Sequence, residues 1–234
     1  MTGAPSVIDF HTHILPKIDH GCRSFEECEQ QLKIISSAKT DIVVATPHFY
    51  PHVHRIEKFI QSRERSICNI KNAGLGDMPK LCIGAEVLLF ENLSKMDGLS
   101  ELCIRGTNVI LLELPMHSLN SMHFETVEEM LSNDFTVILA HVDRYLRICP
   151  NDLDTLRDMG VLMQVNAKSI SPFKLHGRLK RYIKEGNVWA IGSDLHGTNP
   201  ADYKKFVKAP STLKDHYTTI MNKSQKLLEN AICI

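Results

Sequence analysis

Short apolar runs recur along the chain and are separated by stretches with the apolar spacing of amphipathic helices. The runs are four to six residues long, which is typical of buried strands. They cover residues 7–10, 41–46, 80–85, 109–112, 135–140, 161–166 and 188–192. The intervening spacing predicts helices over about 26–38, 56–73, 126–132, 151–159 and 175–184, and an amphipathic helical region from residue 200 onward.

The alternation of strands and helices determines the predicted architecture. Parallel neighbouring strands need a crossover connection, so the pattern predicts an α/β fold with a parallel sheet. Polar residues recur at the carboxyl ends of the strands, which favours a closed barrel with its site on that face. An open doubly wound sheet is the alternative, but no GxGxxG motif follows the first strand. Since the chain has no linker or short repeat, we expect a single domain over 1–234, with a core at about 7–208 and a C-terminal helical segment at 211–234.

The charge balance argues against two classes of partner. Lys plus Arg equals Asp plus Glu at 27 each, so the composition indicates no nucleic acid and no anionic membrane surface. No run approaches the roughly 20 apolar residues that cross a bilayer, and the N-terminus lacks the basic and apolar regions of a signal peptide. The seven cysteines are scattered and form no CxxC pair, which indicates free thiols in a reducing compartment and hence a cytoplasmic protein.

Histidines and carboxylates follow the predicted strands. His11 and His13 end the first strand, where side chains two residues apart point to the same face. Taken singly, such residues have ordinary explanations: His48 as a turn cap, Glu86 as the partner of a lysine, His141 as a hydrogen-bonded core histidine. Together they would place eight donors on one rim of a barrel, which is electrostatically unfavourable without bound cations. These donors are His11, His13, His48, Glu86, Glu113, His141, Asp194 and His196.

The donor types narrow the choice of metal. Imidazole and carboxylate without thiolate suit Mn²⁺, Fe²⁺ or Zn²⁺. Eight donors are too many for one ion, so two or three ions sharing bridging carboxylates are expected. Two ions about 3.5–4 Å apart can hold a hydroxide nucleophile and stabilise both oxygens of a phosphoryl transfer. Arg144, three residues after His141, could hold a phosphate oxygen or could be an ordinary surface arginine.

Seven motifs carry a resemblance to a known family. HTH, IDHG, TPH, GAE, ELP, AHVDR and SDLHG, in this order, resemble the polymerase-and-histidinol-phosphatase (PHP) domain. More narrowly, the chain resembles the bacterial CpsB/YwqE-type protein-tyrosine phosphatases of capsule and exopolysaccharide systems, through VIDFHTHILPKIDHG, VATPHFY, IGAEVLL, ILLELP, ILAHVDRY, QVNAKS and IGSDLHG. The resemblance covers residues 7–197. It implies a distorted (β/α)7 TIM-like barrel with a three-metal, usually manganese-preferring site.

Carried over by position, the resemblance implies nine metal ligands. They are His11, His13, Glu86 and Asp194 for a first ion; Glu86, as a bridge, with Glu113 and His141 for a second; and His48, His196 and His20 for a third. The family pattern Asp-Asp-Gly is Asp19-His20-Gly21 here, so we predict His20 as the ligand, with Asp19 as the alternative. A second departure is Val142-Asp143, where the family usually has Pro-Glu before the arginine.

The implied reaction is hydrolysis of a phosphomonoester by a metal-held hydroxide, without a phosphoenzyme. Arg144 would neutralise the phosphoryl oxygens, and water, Asp194 or His196 would protonate the leaving phenolate. No Cys-x5-Arg signature supports cysteine chemistry. The expected partner is a phosphotyrosine-bearing protein, a bacterial tyrosine kinase. The alternatives are a PHP phosphatase on a small phosphoester such as histidinol phosphate, an amidohydrolase-like barrel, and a non-catalytic metal-bound regulatory domain; a homo-oligomer is left open.

Overall fold

The computed structural model describes residues 5–74, 78–171 and 175–234. Within these ranges, nine parallel strands form two sheets, with order β1-β2-β4 and β3-β5-β6-β7-β8-β9. The strands are β1 (Ile8–Thr12), β2 (Ile42–Ala45), β3 (His48–Phe49), β4 (Lys80–Ile83), β5 (Glu86–Leu88), β6 (Val109–Glu113), β7 (Thr136–Leu139), β8 (Leu162–Asn166) and β9 (Val188–Gly192). The helices are α1 (Phe25–Ser37), α2 (Ile56–Asn72), α3 (Ser121–Ser132), α4 (Pro150–Asp158), α5 (Gly177–Lys184), α6 (Pro200–Leu213) and α7 (Asp215–Leu227).

Two strand positions are interrupted, which is why the sheet divides in two. Pro47, which has no N–H to donate, separates β2 from β3, and Gly84 lies between β4 and β5. Pairing continues across the breaks, because Gly84 N donates to Ala45 O (2.9 Å) and Glu86 N to Pro47 O (3.0 Å). Counted with these interruptions, the nine strands occupy seven positions.

The seventh strand position returns to the first. Beyond β9, Asp194 N donates to His11 O (2.9 Å), and His13 N donates to Leu195 O (3.1 Å). Thr12 and Leu195 also form a parallel bridge. The strand order is therefore a ring with helical crossovers, and the predicted (β/α)7 architecture is confirmed.

The C-terminal part departs from the predicted continuous helical region. Lys214, with a φ of 51°, separates α6 from α7. The last residues then leave the helix and lie beside β4, where Ile234 and Leu81 exchange two backbone hydrogen bonds of 2.9 Å. Because β6 pairs with β5 and not with β4, this segment covers an otherwise open strand edge. The division into a core and a C-terminal segment stays a prediction.

The expectation of seven free thiols is wrong for two of them. Cys82 on β4 and Cys233 in the terminal segment form a disulfide that spans 151 residues of sequence. The pairing escaped sequence reasoning because neither cysteine lies in a recognisable spacing motif. The start of α3 also lies five residues before the predicted one, because Asn120 caps it by accepting from His123 N (3.1 Å).

Candidate metal centre

The residues predicted to bind metal lie at the carboxyl ends of the strands. His11 is the next-to-last residue of β1. His48 and Glu86 begin the short strands β3 and β5, which continue β2 and β4 beyond their interruptions, so both residues lie toward the carboxyl end of a strand position. Glu113 ends β6, and His141 follows β7. These positions converge because all the strands run parallel, so their carboxyl ends share one mouth of the ring.

Glu86 lies at the centre of the cluster and is fully buried. Its Oε2 lies 3.0 Å from His11 Nε2, 3.2 Å from His13 Nε2 and 3.1 Å from His48 Nδ1, and its Oε1 lies 2.6 Å from His141 Nε2. Burial opposes ionisation of this carboxyl, but the imidazoles, His11 foremost, outweigh burial and hold its pKa well below the ordinary value. Glu86 is therefore a carboxylate in contact with four ring nitrogens.

Four overlapping groups of donors could each hold an ion. Within each group, the ligating atoms lie within 4.8 Å of one another. In the part of the chain that the structure describes, the groups are His13, His48 and His196; His11, His13 and Asp194; His11, Glu86 and His141; and His48, Glu86 and Glu113. They share members, as expected for neighbouring ions with common ligands, and they contain no thiolate. This donor chemistry fits divalent cations of the Mn²⁺, Fe²⁺ and Zn²⁺ type.

The protonation states of the imidazoles differ with their surroundings. Burial lowers the pKa of His48 to about 3 and that of His196 to about 4, so both rings are neutral near pH 7 and offer a lone pair. Burial also opposes protonation of His13, yet the carboxylates of Asp19 and Glu86 raise its pKa to about 10. His13 Nε2 lies 3.0 Å from His11 Nε2, so the two ring nitrogens face each other and a proton on His13 can be donated to His11. A cation bound by these nitrogens would displace that proton.

His20 does not belong to any of the four donor groups. It is exposed, and its ring stacks on that of His48, with centroids 5.0 Å apart. Asp19 is not in a donor group either, because its carboxylate is already used. It accepts from His13 Nδ1 (2.8 Å), His48 N (2.9 Å) and Gly21 N (2.9 Å). Asp19 thus orients two imidazoles, and a ligand role for His20 stays a prediction.

Two polar residues of β8 support the cluster and were missed by sequence reasoning. Gln164 Oε1 accepts from His141 N (2.6 Å) and His11 Nδ1 (3.2 Å), and Gln164 Nε2 donates to Asn166 Oδ1 (3.1 Å). Asn166 Nδ2 in turn donates to Asp194 Oδ2 (2.8 Å). A carbonyl acceptor on Nδ1 places the His11 proton there and leaves Nε2 free to bind a metal. The signal was two amide side chains, two residues apart, in an otherwise apolar strand.

Backbone geometry is unusual at two of the predicted ligands. His141 and Asp194 have φ values of 33° and 56°, in the left-handed region that residues other than glycine seldom adopt. Such conformations concentrate at functional sites, where the surrounding structure maintains them. Gly192, just before the second of these turns, lies directly against the cluster. A Cβ there would be 2.5 Å from His11 Cβ, so only glycine fits.

Two cationic side chains line the rim of the cluster. Arg144 Nη1 lies 2.9 Å from Glu113 Oε1, and Arg144 Nη2 lies 3.4 Å from Asp194 Oδ2. Lys168 Nζ lies 3.0 Å from the same oxygen of Asp194. Burial and the charge of Glu86 raise the pKa of Glu113 to about 7, although Arg144 partly offsets them. Cations beside a multi-donor metal site are suited to an anionic ligand such as a phosphate.

Comparisons with known proteins identify related sequences. A family model described as capsular polysaccharide synthesis, CpsB/CapC, matches residues 7–233. CapC of Staphylococcus aureus is 28% identical over 221 residues, which cover 89% of this chain and 81% of that protein. Tyrosine-protein phosphatase CpsB of Streptococcus pneumoniae is 24% identical over 226 residues, covering 93% and 90%.

Solved structures show the same fold. The crystal structures of YwqE from Bacillus subtilis and CpsB from Streptococcus pneumoniae, described as unique metal-dependent tyrosine phosphatases, match with a TM-score of 0.78 at 17% identity, covering 97% of this chain and 96% of the matched one. An amidohydrolase from Mycoplasma synoviae matches with a TM-score of 0.55 at 10% identity, covering 98% and 88%. At these identities, the matches establish the fold.

Proposed function

Because this chain belongs to the CpsB/CapC family of capsular polysaccharide synthesis, we propose that it is a metal-dependent protein-tyrosine phosphatase. Its relatives of the CpsB type are named tyrosine-protein phosphatases. The observation that carries the proposal is the buried cluster around Glu86, with Arg144 and Lys168 at its rim. We propose the phosphotyrosine of a bacterial tyrosine kinase as substrate and the cytoplasm as location. None of the helices in the described ranges has the length and hydrophobicity needed to cross a bilayer.

The predicted ligands would hold two or three divalent ions, Mn²⁺ first and Fe²⁺ or Zn²⁺ as alternatives. Such ions supply Lewis acidity at phosphoryl oxygens and lower the pKa of a bound water toward neutrality. The support is the donor set itself, in which eight nitrogen and oxygen donors crowd together. These are His11, His13, His48, Glu86, Glu113, His141, Asp194 and His196.

The residues of the rim have roles that follow from their charge. Arg144 binds phosphoryl oxygens through its planar guanidinium once Glu113 and Asp194 serve as ligands. Hydrolysis breaks the bond between phosphorus and the tyrosine oxygen, forms a bond from phosphorus to a water oxygen, and requires a proton on the leaving phenolate. Burial opposes ionisation of Asp194, but His11 and Lys168 hold its pKa below the ordinary value. Asp194 thus suits a ligand role. Because burial keeps His196 neutral near pH 7, a water suits the proton transfer better than this imidazole does.

The test is phosphate release from a substrate panel, with metal analysis of the same samples. A phosphotyrosine peptide, free phosphotyrosine and histidinol phosphate are compared with added Mn²⁺, with chelator and after thiol alkylation. Glu86→Gln, which keeps the size of the side chain but removes its charge, should lose both bound metal and peptide turnover. Asp97→Asn, on an acid outside the cluster, is the control and should retain both.

Each failure of this test has a definite meaning. Turnover confined to histidinol phosphate would establish the small-phosphoester alternative. Tight peptide binding without phosphate release in the metal-loaded protein would establish a regulatory domain. Loss of activity on alkylation but not on chelation would contradict the proposal.

A further inference from the structure

A basic groove of about 850 Å³ adjoins the metal cluster on one side of the barrel mouth. Its walls are the turns that follow β7 and β8 on one side and helix α6 on the other. We define the basic groove by its five cationic side chains, which are Arg144, Arg147, Lys168, Lys205 and Lys208. Its lining also includes apolar side chains that are almost fully buried, Leu146, Ile170 and Leu179.

The groove is continuous with the cluster. Two of its cations, Arg144 and Lys168, contact Asp194 Oδ2 at 3.4 Å and 3.0 Å, and Asp194 is itself a predicted metal ligand. The other three line the same groove from the turn after β7, which carries Arg147, and from α6, which carries Lys205 and Lys208. A molecule whose phosphate reached the cluster would therefore place its neighbouring groups among these cations.

The cations of the outer groove are not neutralised locally. Among the described residues, no carboxylate lies within 4.0 Å of the charged groups of Arg147, Lys205 or Lys208. The acid in the lining, Asp143, is already engaged, because it accepts from Asn166 N (2.8 Å) and from Ser169 Oγ (2.5 Å). The chain as a whole has a formal net charge of zero, so this positive region is local.

We propose that the basic groove binds anionic side chains that flank the phosphotyrosine of a peptide substrate. The anions are carboxylates or a second phosphate, which guanidinium and ammonium groups recognise through the same chemistry. The inference rests on the proposed phosphatase function and adds a preference for acidic sequence context.

The experiment compares kcat/KM of the metal-loaded protein on four substrates. They are p-nitrophenyl phosphate and three phosphotyrosine peptides, with neutral neighbours, with glutamate neighbours and with a second phosphotyrosine. Lys205→Glu and Lys208→Glu are made singly and together. Lys204→Glu is the matched control, because this residue is exposed on the same helix but outside the groove.

The expected result is a preference for the two anionic peptides that the double variant abolishes. Two reversed charges at an exposed groove should lower kcat/KM on these peptides about tenfold, mostly through KM. The change should shrink at about 0.5 M salt, because exposed charges are then screened. Activity on p-nitrophenyl phosphate should stay unchanged, and Lys204→Glu should behave as the unaltered protein. The glutamate and diphosphorylated peptides show separately which anion is preferred.

Fluorescence anisotropy of labelled versions of the same peptides measures binding independently of hydrolysis, and it therefore separates this inference from the proposed function. If the peptides bind in a way that depends on Lys205 and Lys208 but are not hydrolysed, the role of the groove is supported and the phosphatase function is refuted. Equal kcat/KM for neutral and anionic peptides, insensitive to both substitutions, would overturn the groove and leave the phosphatase function intact. Lysine-dependent binding of vesicles that contain an anionic phospholipid, with no preference among peptides, would also overturn it.

Discussion

Replacement of Gln164 by leucine tests whether the amide on β8 positions two of the predicted metal ligands. Leucine has a similar size but cannot accept from His141 N or His11 Nδ1, which lie 2.6 Å and 3.2 Å from Gln164 Oε1. Gln164 is fully buried, so both donors would lose their partner away from solvent. Each unsatisfied buried group costs roughly 1–3 kcal/mol, and two predict a loss of roughly 2–6 kcal/mol in the free energy of unfolding. Urea unfolding of the metal-free protein measures this loss.

The more specific expectation for this variant concerns metal affinity. Removing a hydrogen bond that orients a ligand imidazole typically lowers metal affinity by about 10–100-fold. Calorimetric titration with Mn²⁺ should show a decrease of this size for Gln164→Leu. Gln164→Glu, which keeps an acceptor oxygen at the same place, should retain more of the affinity. Unchanged Mn²⁺ affinity in the leucine variant, together with a lower unfolding free energy, would mean that Gln164 supports the fold only, and would refute the positioning role.

Three further predictions concern the surroundings of the cluster and the terminal segment. Gly192→Ala should destabilise the protein by about 1–3 kcal/mol and weaken Mn²⁺ binding, whereas Gly177→Ala, where an added Cβ meets nothing within 4 Å, should do neither in the same assays. Burial raises the pKa of Asp9 to about 6 from 3.8, so the folded metal-free state retains a proton that the unfolded state releases. The free energy of unfolding should therefore fall by up to about 3 kcal/mol as the pH rises from 4 to above 6. Asp9→Asn should remove this pH dependence, as measured by urea unfolding at several pH values. Cys233→Ser should lower stability by at most about 5 kcal/mol, as expected for opening a loop of 151 residues, while Cys68→Ser on an exposed free thiol should have little effect on the melting temperature.

The strands were predictable because their signals are local. An apolar run such as 135–140 has no alternative to burial, and a parallel strand of that length must be followed by a crossover. The convergence of donors was predictable for the same reason, since residues at the carboxyl ends of parallel strands must meet. The interruptions at Pro47 and Gly84 were harder to predict, because the sequence of an apolar strand and of its continuation after a break resembles a single strand.

Contacts between distant parts of the chain were not predictable. Gln164 and His11 are 153 residues apart, and nothing in either local sequence indicates that their side chains touch. The Cys82–Cys233 disulfide has the same origin, since it depends on where the last residues lie against β4. The role of Asp19 could also be determined only from the structure. Its spacing suits a ligand, but its carboxylate is taken by His13 and by two backbone amides.

The ion pairs at the rim connect metal binding with anion binding. Without metal, Arg144 and Lys168 are held by the carboxylates of Glu113 and Asp194, which are also predicted ligands. A carboxylate that donates its charge to a divalent cation attracts a neighbouring arginine or lysine less. Filling the cluster should therefore release both cations toward the open mouth and the basic groove. Phosphate binding should consequently strengthen on metal loading for two reasons, the charge of the ions and the release of Arg144 and Lys168. Arg144→Gln should then weaken competitive inhibition by phosphate in the metal-loaded protein. The same substitution should strengthen Mn²⁺ binding, because Arg144 no longer competes with the ions for Glu113 and Asp194.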